Sequence, residues 1–410
     1  MTNNRWFQLC ASLIAMIMIA NLQYAWTLFV EPMRTENGWP LQGIQNAFAL
    51  FILFQTWVQP LDGWLIDRLG PRWFISAAGV LCGVGWAGMG MVTDLTALKV
   101  LYVTAGVGAA FVYSGSIGSA LKWFKDRRGL ASGIMAAGFG AGTALFIPWI
   151  SWMIAGRGYR DAFLWTGVLQ GVVILIAAQF LRHPPAAAAP AAPKAPVAER
   201  VGRHQFTTAE MLRAPQFYVL YTAFVLMAIG GLLVTANAGP ISRSWGFPQA
   251  VLTAALTLSP LANGASRIFW GFVSDRLGRE LTMIVAFVLQ AVSLVLLMTL
   301  GSRSGAWFQI TLVLTFFTWG EIFSLFPSIS GDYFGTKHAT SNYAVLYTAK
   351  GVAAIFGVSV ATALYGQFNT WSAVLLGSAG LALVSATIAF GLYRVKRAQL
   401  VSAPDRAAVV

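Results

Sequence analysis

The sequence is poor in the residues that most catalytic and cofactor-binding sites require. It has two cysteines, three histidines and only 10% charged residues among 410, whereas a soluble domain carries about 25% charged residues. Cys10 and Cys82 fall inside long apolar segments and His183, His204 and His338 fall between such segments, so neither a disulfide framework nor a metal site is indicated. A Gly-rich phosphate-binding loop ending in Lys-Ser or Lys-Thr is also missing, so nothing points to ATP. We therefore expect no metal, no cofactor and no enzymatic activity.

Apolar residues are what the sequence has in excess. The chain is 57% hydrophobic with a mean hydropathy of +0.67. A bilayer core about 30 Å thick needs about 20 apolar residues per helix. Twelve such segments follow one another, at 6–30, 41–66, 73–93, 97–121, 130–154, 162–182, 216–239, 249–272, 281–301, 306–329, 342–366 and 370–394. The sequence therefore predicts an all-α membrane protein with twelve transmembrane helices embedded in the lipid bilayer.

The net charge of +13 is distributed unevenly between the predicted loops. With the N-terminus placed inside, nineteen Lys and Arg residues fall on the cytoplasmic side, six fall outside, and Arg267 and Lys350 fall within predicted helices. This asymmetry follows the positive-inside rule, which places both termini in the cytoplasm. The basic balance thus indicates the topology of a multi-pass protein of the plasma (inner) membrane, and we expect no nucleic-acid partner.

A stretch rich in Pro and Ala divides the chain into two sets of six helices. We expect an N-terminal six-helix bundle at 1–182, a cytoplasmic linker at 183–215, a C-terminal six-helix bundle at 216–394 and a cytoplasmic tail at 395–410. The Pro/Ala composition predicts an extended, semi-rigid linker without a core of its own.

The two halves share a loop motif. "GWLIDRLGPR" at 63–72 returns 208 residues later as "GFVSDRLGRE" at 271–280. This pair of motifs and the six-plus-six layout resemble the major facilitator superfamily of secondary transporters over essentially the whole chain. The resemblance implies two pseudo-symmetric halves that rock around a substrate site near the membrane midplane, and we expect a monomer. Because the motif residues lie at helix ends, we predict a gating or structural ion-pair role for Gly63, Asp67, Arg68, Gly271, Asp275 and Arg276.

Lys350 and Arg267 are cations inside predicted membrane helices, where a charge is costly unless it has a partner or faces a cavity. One interpretation is that both side chains snorkel to the cytoplasmic interface. The other is that they face a substrate, since the helix rise places both about 8 to 10 Å from the cytoplasmic ends of their helices. Tyr343, Tyr347 and Lys350 share one helix face, and Asn263 lies one turn from Arg267, which favours the substrate-facing interpretation.

The balance of charge inside the predicted helices calls for an anion. Glu321 is interpreted as the only carboxylate deep in a helix, so two cations against one acid leave a positive surplus. Arg can bind a carboxylate through two parallel hydrogen bonds, and Lys supplies a compact charge. Glu321 itself fits either a helix–helix hydrogen bond or proton coupling. In the repeat alignment, Gln55 and Gln59 occupy the places of Asn263 and Arg267.

A second, narrower resemblance rests on four stretches. "LQYAWTLF", "NGASRIFWGFVSDRLGR", "FFTWG" and "AKGVAAIFG" are similar to the oxalate–formate antiporter family. The resemblance implies exchange of small carboxylate anions, with Arg267 and Lys350 binding the two carboxylates of oxalate. It also implies a site lined by Gln23, Tyr24, Gln45, Tyr113, Trp319 and Tyr347, to which the helical spacing adds Asn263.

The sequence departs from the oxalate transporters at four of its positions. Phe139 and Phe323 stand where tyrosines are expected, Tyr347 where a tryptophan is expected, and Glu321 where a small residue is expected. Two lost hydroxyls and an added acid leave a proton-coupled symporter of monocarboxylates such as lactate or pyruvate as the alternative. The two hypotheses differ in whether uptake needs an internal anion or a pH gradient.

Overall fold

In a computed structural model of the chain, the described residues are 4–124, 128–182, 184, 204–335 and 338–401, without the side chains at 63, 64, 67, 128–130, 132 and 396–401. Most of the predicted linker and tail, and the side chains of the motif residues Gly63 and Asp67, lie outside the described residues. The described α-helices are α1 (Arg5–Tyr24), α2 (Trp26–Asn37), α3 (Leu41–Trp57), α4 (Gln59–Gly88), α5 (Leu95–Trp123), α6 (Arg128–Ala141), α7 (Ile147–Phe180), α8 (Thr208–Met211), α9 (Pro215–Ser244), α10 (Gln249–Leu277), α11 (Arg279–Thr299), α12 (Gly305–Trp319), α13 (Ile322–Phe334), α14 (Ala339–Phe368) and α15 (Ser372–Val401).

The helices account for twelve membrane spans. Eight helical stretches among the described residues are long and apolar enough to cross a membrane, and the longest of them, Gly133–Phe180, folds back at Gly158 and holds two spans. Helix α4 likewise turns at Gly70 and holds parts of two spans. When these hairpins and the broken spans are counted, six spans precede α8 and six follow it. This confirms the predicted all-α architecture of two six-helix halves.

Four spans are interrupted along their length. Helix α1 ends at Tyr24, α3 ends at Trp57, α6 runs into a 3-10 turn at Gly142–Leu145, and α12 ends at Trp319. An interrupted helix frees backbone groups, which membrane proteins tolerate only where protein or a cavity surrounds them. Two of these four breaks fall at Tyr24 and Trp319, which are predicted to line the substrate site.

The repeated loop motif produces the same turn in both halves. Gly70 has φ 73° and ψ 158°, and its repeat partner Gly278 has φ 86° and ψ 155°, a conformation that is essentially restricted to glycine. After the second turn, Arg279 Nη2 lies 2.7 Å from Asp275 Oδ1 and Nε lies 3.5 Å from Asp332 Oδ2. These ion pairs tie the turn between α10 and α11 to the end of α13.

The C-terminal end of the predicted linker differs from the expected extended chain. Residues 208–211 form the short helix α8, and Thr207 caps its N-terminus. The backbone N–H and hydroxyl of Thr207 donate to Glu210 and lower the pKa of that carboxyl. Thr208 Oγ1 donates to Asn342 Oδ1 at 3.0 Å, and Asn342 Nδ2 donates to the carbonyl of Phe206 at 3.0 Å. The Pro/Ala composition of the linker did not predict this helix, because its contact with α14 depends on a capping box and on one buried Asn of α14.

Candidate functional site

Lys350 lies on α14 with its side chain fully buried. Its ammonium donates to Gln23 Oε1 at 2.8 Å, to Gln55 Oε1 at 3.1 Å and to the Tyr347 hydroxyl at 3.3 Å. Gln23 and Gln55 belong to α1 and α3 of the N-terminal half, so the lysine of one half is held by two amide oxygens of the other. An ammonium has three protons, and each of these bonds accounts for one of them.

Arg267 lies on α10 and is 4% exposed. Its Nη1 donates to the carbonyl of Ala136 on α6 at 2.7 Å, and Nη2 donates to Asn263 Oδ1 at 3.0 Å and to the Tyr24 hydroxyl at 3.4 Å. This cation too reaches groups of the opposite half. The snorkelling interpretation of both cations is therefore wrong, because their charged ends are buried between the halves rather than extended toward the membrane surface.

Two phenylalanine rings each lie within 6 Å of both cations. The ring of Phe323 is 4.2 Å from Arg267 Cζ and 5.7 Å from Lys350 Nζ. The two charges are therefore no further apart than the sum of these distances, about 10 Å. Phe139 lies 5.8 Å and 5.9 Å from the same two atoms. Both cations thus face the rings that stand where the oxalate transporters are expected to have tyrosines.

The predicted aromatic residues surround this pair of rings. Tyr113 stacks on Tyr347 with centroids 5.9 Å apart, and it meets Phe139 edge-on at 5.3 Å. Tyr24 lies 5.7 Å from Phe139, and Trp319 lies 5.4 Å from Phe323. Of the residues predicted to line the site, Gln23, Tyr24, Tyr113, Tyr347 and Asn263 contact a cation or its aromatic wall directly, and Trp319 packs behind Phe323.

The partners of both cations are neutral. The ion pairs among the described residues do not include Arg267 or Lys350. Four buried polar atoms around the two cations lack a hydrogen-bond partner: Gln23 Nε2, Arg267 Nε, Trp319 Nε1 and the Tyr343 hydroxyl. All four can donate a hydrogen bond, and a buried donor without an acceptor costs about 1–3 kcal/mol. Positive charge and surplus donors together suit an anionic ligand.

Gln45 does not join this cluster. The chain has an even number of spans, so both termini lie on one side of the membrane, here called the terminal side, and the other side is called the distal side. On the distal side, Gln45 Nε2 donates to the carbonyl of Ala236 on α9 at 2.8 Å. Pro240 has no N–H to donate to that carbonyl four residues earlier, so Gln45 supplies the donor that the helix lacks. The neighbouring Gly239 N–H donates to Thr27 Oγ1 at 2.6 Å, again across the halves.

Further polar contacts join the two halves on the distal side. Arg243 Nε lies 3.7 Å from Glu31 Oε2, and Ser359 Oγ donates to Asn46 Oδ1 at 3.0 Å. Since each pair takes one residue from either half, any movement that opens the distal side must break them.

Sequence reasoning missed an acid that is buried within the second span. Asp62 on α4 is 2% exposed, accepts a hydrogen bond from the hydroxyl of Ser114, and has one oxygen without a partner. Glu321 is therefore not the only carboxylate buried within a span, as the charge balance had assumed. The sequence pattern could have indicated this acid, because Gln55, Gln59 and Asp62 fall at i, i+4 and i+7 on one side of the second span.

Glu321 lies at the break between α12 and α13 and is fully buried. Neither carboxylate oxygen has a hydrogen-bond partner among the described residues. The preceding Gly320 abuts Ser266 and Asn263 of α10, so the break itself is packed against the helix that carries Arg267.

Of the remaining motif residues, Arg68 and Arg276 lie near helix ends, whereas Gly271 lies within α10, one turn from Arg267. The guanidinium of Arg276 lies 4.2 Å from the ring centre of Phe272, and Gly271 packs toward Ser324 of α13. Arg68 is exposed near the Gly70 turn.

Comparisons with known proteins agree with this architecture. The model of the Major Facilitator Superfamily matches residues 11–239 and again residues 220–408. The oxalate:formate antiporter of Oxalobacter formigenes is 40% identical over 389 residues, which cover 95% of this chain and 90% of that protein. The uncharacterized MFS-type transporter YhjX of Escherichia coli is 25% identical over 86% of each chain, and monocarboxylate transporter 12 of Xenopus laevis is 26% identical over 78% of this chain and 75% of its own. The chain belongs to the Major Facilitator Superfamily, and it resembles the oxalate:formate antiporter along nearly its whole length.

Proposed function

We propose that the protein is a secondary active transporter that exchanges small carboxylate anions, of the oxalate and formate type, by alternating access. The observation that carries this proposal is the pair of buried cations, Arg267 and Lys350, which are held by neutral oxygens and not by acids. The 40% identity to an oxalate:formate antiporter supports the same substrate class.

In this proposal each cation holds one carboxylate group of a dianion. Arg267 has a free Nε beside its Nη groups, which suits a two-pronged bond to a carboxylate, and Lys350 supplies a point charge. Tyr24, Tyr113, Tyr347 and the other aromatic residues wall the space. We assign Asn263 and Gln23 to orienting the two cations, Trp319 to the outer wall, and Gln45 to the distal contact between the halves rather than to the substrate.

The charge arrangement favours exchange over one-way movement. Two like charges no more than about 10 Å apart repel by at least roughly 1.7 kcal/mol at an effective dielectric of about 20, which opposes closure of the halves around them. A dianion cancels both charges and contacts both halves at once, so it favours closure. The carrier then returns most readily with a second anion bound. The positive-inside distribution supports a plasma (inner) membrane location with cytoplasmic termini, so the terminal side is the cytoplasmic side.

Counterflow in proteoliposomes tests the proposal. Uptake of labelled oxalate should require oxalate or formate inside the vesicles, and Lys350→Gln should reduce it at least tenfold. Lys99→Gln is the matched control, because Lys99 is a partly exposed residue near the distal start of α5, about 21 Å along the helix from Tyr113. Uptake by this variant should equal that of wild type. Uptake that does not depend on an internal anion, or full uptake by a folded Lys350→Gln protein, would overturn the proposal.

One observation favours a second candidate, proton-coupled symport of monocarboxylates. Glu321 is a buried acid whose oxygens have no partner among the described residues, beside the wall formed by Trp319. A buried carboxylate without a partner is unfavourable as an anion, so Glu321 favours a bound proton. In this candidate, binding and release of that proton are coupled to transport of the monocarboxylate. The similarity to monocarboxylate transporter 12 is lower, at 26% identity, so exchange is the leading proposal.

A further inference from the structure

A groove runs down the outer surface of the hairpin formed by α7. The chain folds back at Gly158, where φ is 86° and ψ is 165°, and the two arms of the hairpin lie on either side of the groove. The groove has a volume of about 540 Å³. It is lined by Trp149, Trp152, Met153 and Arg157 on the first arm and by Trp165, Val168, Leu169 and Val172 on the second.

Met153 is a buried core residue and Trp149 is partly buried, whereas the other apolar lining residues are exposed and face away from the protein core. On the second arm, Trp165, Val168, Leu169 and Val172 fall at i, i+3, i+4 and i+7, which is one helix face. Trp152 on the opposite arm is 64% exposed and Trp165 is 52% exposed. In a membrane-spanning hairpin, such a face meets lipid.

The polarity of the groove changes along its length. Arg157 stands directly before the Gly158 turn, at the distal end of the hairpin, and Trp152 and Trp165 follow one to two turns deeper. Val172 is fourteen residues past the turn, about 21 Å along the helix. A cation at the membrane surface, aromatic rings below it and aliphatic side chains at depth reproduce the order of headgroup, interface and acyl chain within one leaflet.

The charge of Arg157 is available to a ligand. Its neighbour Arg160 is engaged, since Nε donates to Glu36 Oε1 at 2.7 Å and Nη2 donates to Asn37 Oδ1 at 3.0 Å. Arg157 forms no such ion pair with any acid of the described chain. Guanidinium groups bind phosphate oxygens in a two-pronged geometry.

We propose that this groove binds one anionic phospholipid of the distal leaflet, with its phosphate on Arg157 and one acyl chain along Val168, Leu169 and Val172. A headgroup with net negative charge, such as that of phosphatidylglycerol, brings no cation of its own to compete with the guanidinium, whereas phosphatidylcholine does. The site is independent of the substrate cluster, because it lies on the lipid face of α7.

Native mass spectrometry of the purified full-length protein tests this proposal. The protein in detergent is titrated with phosphatidylglycerol or phosphatidylcholine of identical acyl chains, and the first bound lipid is quantified. We expect phosphatidylglycerol to bind at least fivefold more tightly, and Arg157→Gln to remove that preference. Trp152→Ala, at a position 64% exposed and therefore tolerant of change, should weaken both lipids. Soluble glycerol phosphate should not displace the lipid, because it lacks the acyl chain.

Arg303→Gln is the matched control, since Arg303 is another exposed distal arginine, whose Nε donates to the carbonyl of Thr299 within its own half. It should leave the lipid preference unchanged. The proposal would be overturned if the wild type bound the two lipids equally, or if both arginine variants lost the preference for phosphatidylglycerol to the same extent. Either result would mean that the bound lipid is annular and not held in a specific site. A dimer that Arg157→Gln and Trp152→Ala dissociate would also overturn it, because the groove would then be a subunit interface.

Discussion

Replacing Gln45 by Met should shift the carrier toward conformations that are open on the distal side. With the distal side closed, the Ala236 carbonyl is buried and its hydrogen bond comes from Gln45 Nε2 at 2.8 Å, because Pro240 cannot supply one. Met is similar in size but has no donor. The variant therefore leaves a buried acceptor unsatisfied only in the closed form, whereas water can reach it in the open form.

The size of the shift follows from the cost of that lost bond. A buried acceptor without a partner costs about 1–3 kcal/mol, which corresponds to a change of roughly 5- to 150-fold in the ratio of open to closed molecules. Replacing Pro240 by Ala restores a backbone N–H that can donate to the Ala236 carbonyl. In the Pro240→Ala background, Gln45→Met should therefore cost much less, and the coupling energy between the two changes should be about 1–3 kcal/mol.

Double electron–electron resonance measures this equilibrium. Spin labels on Thr93→Cys and Ser302→Cys report the distal separation of the halves, since both positions are exposed loop residues. Cys10, the exposed cysteine, is replaced by Ser, and the buried Cys82 is kept. Gln309→Met is the matched control, because Gln309 donates to the carbonyl of Val251 within one half. If Gln45→Met raised the KM for oxalate without moving the distance distribution, or if the two changes were additive, Gln45 would belong to the substrate site as the family resemblance implies.

Two further predictions concern Glu321 and the repeated turn. If Glu321 couples protons, Glu321→Gln should abolish the uptake of lactate that an imposed pH gradient drives, while oxalate counterflow continues. If a pH gradient drives no lactate uptake by the wild type, proton symport is excluded. Gly278→Ala should lower the apparent melting temperature, because alanine at φ 86° and ψ 155° is strained by about 1–3 kcal/mol, whereas Gly391→Ala in α15, with nothing within 4 Å of the added methyl group, should not. Thermal unfolding followed by tryptophan fluorescence compares the two, and equal melting temperatures would contradict the strain argument.

The sequence was sufficient for those parts of the site that depend on spacing within one helix. Asn263 and Arg267 are one turn apart, and the structure joins them by a hydrogen bond of 3.0 Å. Tyr347 and Lys350 are likewise neighbours on α14. A helix repeats its side-chain directions every three to four residues, so such pairs can be predicted from local periodicity alone.

Contacts between distant helices were beyond that reasoning. Gln55 and Lys350 are separated by 295 residues, and their meeting depends on which faces of α3 and α14 turn toward each other. The depth of each residue within its span, by contrast, can be predicted from the sequence. Gln45 precedes Gln55 by ten residues, or about 15 Å along the span, which places it well to the distal side of the lysine. Applying the helix rise to the amides as well as to the cations would have placed Gln45 at a different depth from Lys350.

The repeat gives the amides around the cations a common explanation. Gln55 and Asn263 are equivalent positions in the two halves, 208 residues apart, and each presents its amide oxygen to one cation, Gln55 to Lys350 and Asn263 to Arg267. An amide oxygen accepts a hydrogen bond from the cation without neutralising the positive charge. A carboxylate at the same place would neutralise that charge and compete with an anionic substrate. The acids buried within the spans, Asp62 and Glu321, make no ion pair with either cation in the described structure. The preference for anions therefore depends as much on having amides at two repeat-equivalent positions as on the cations themselves.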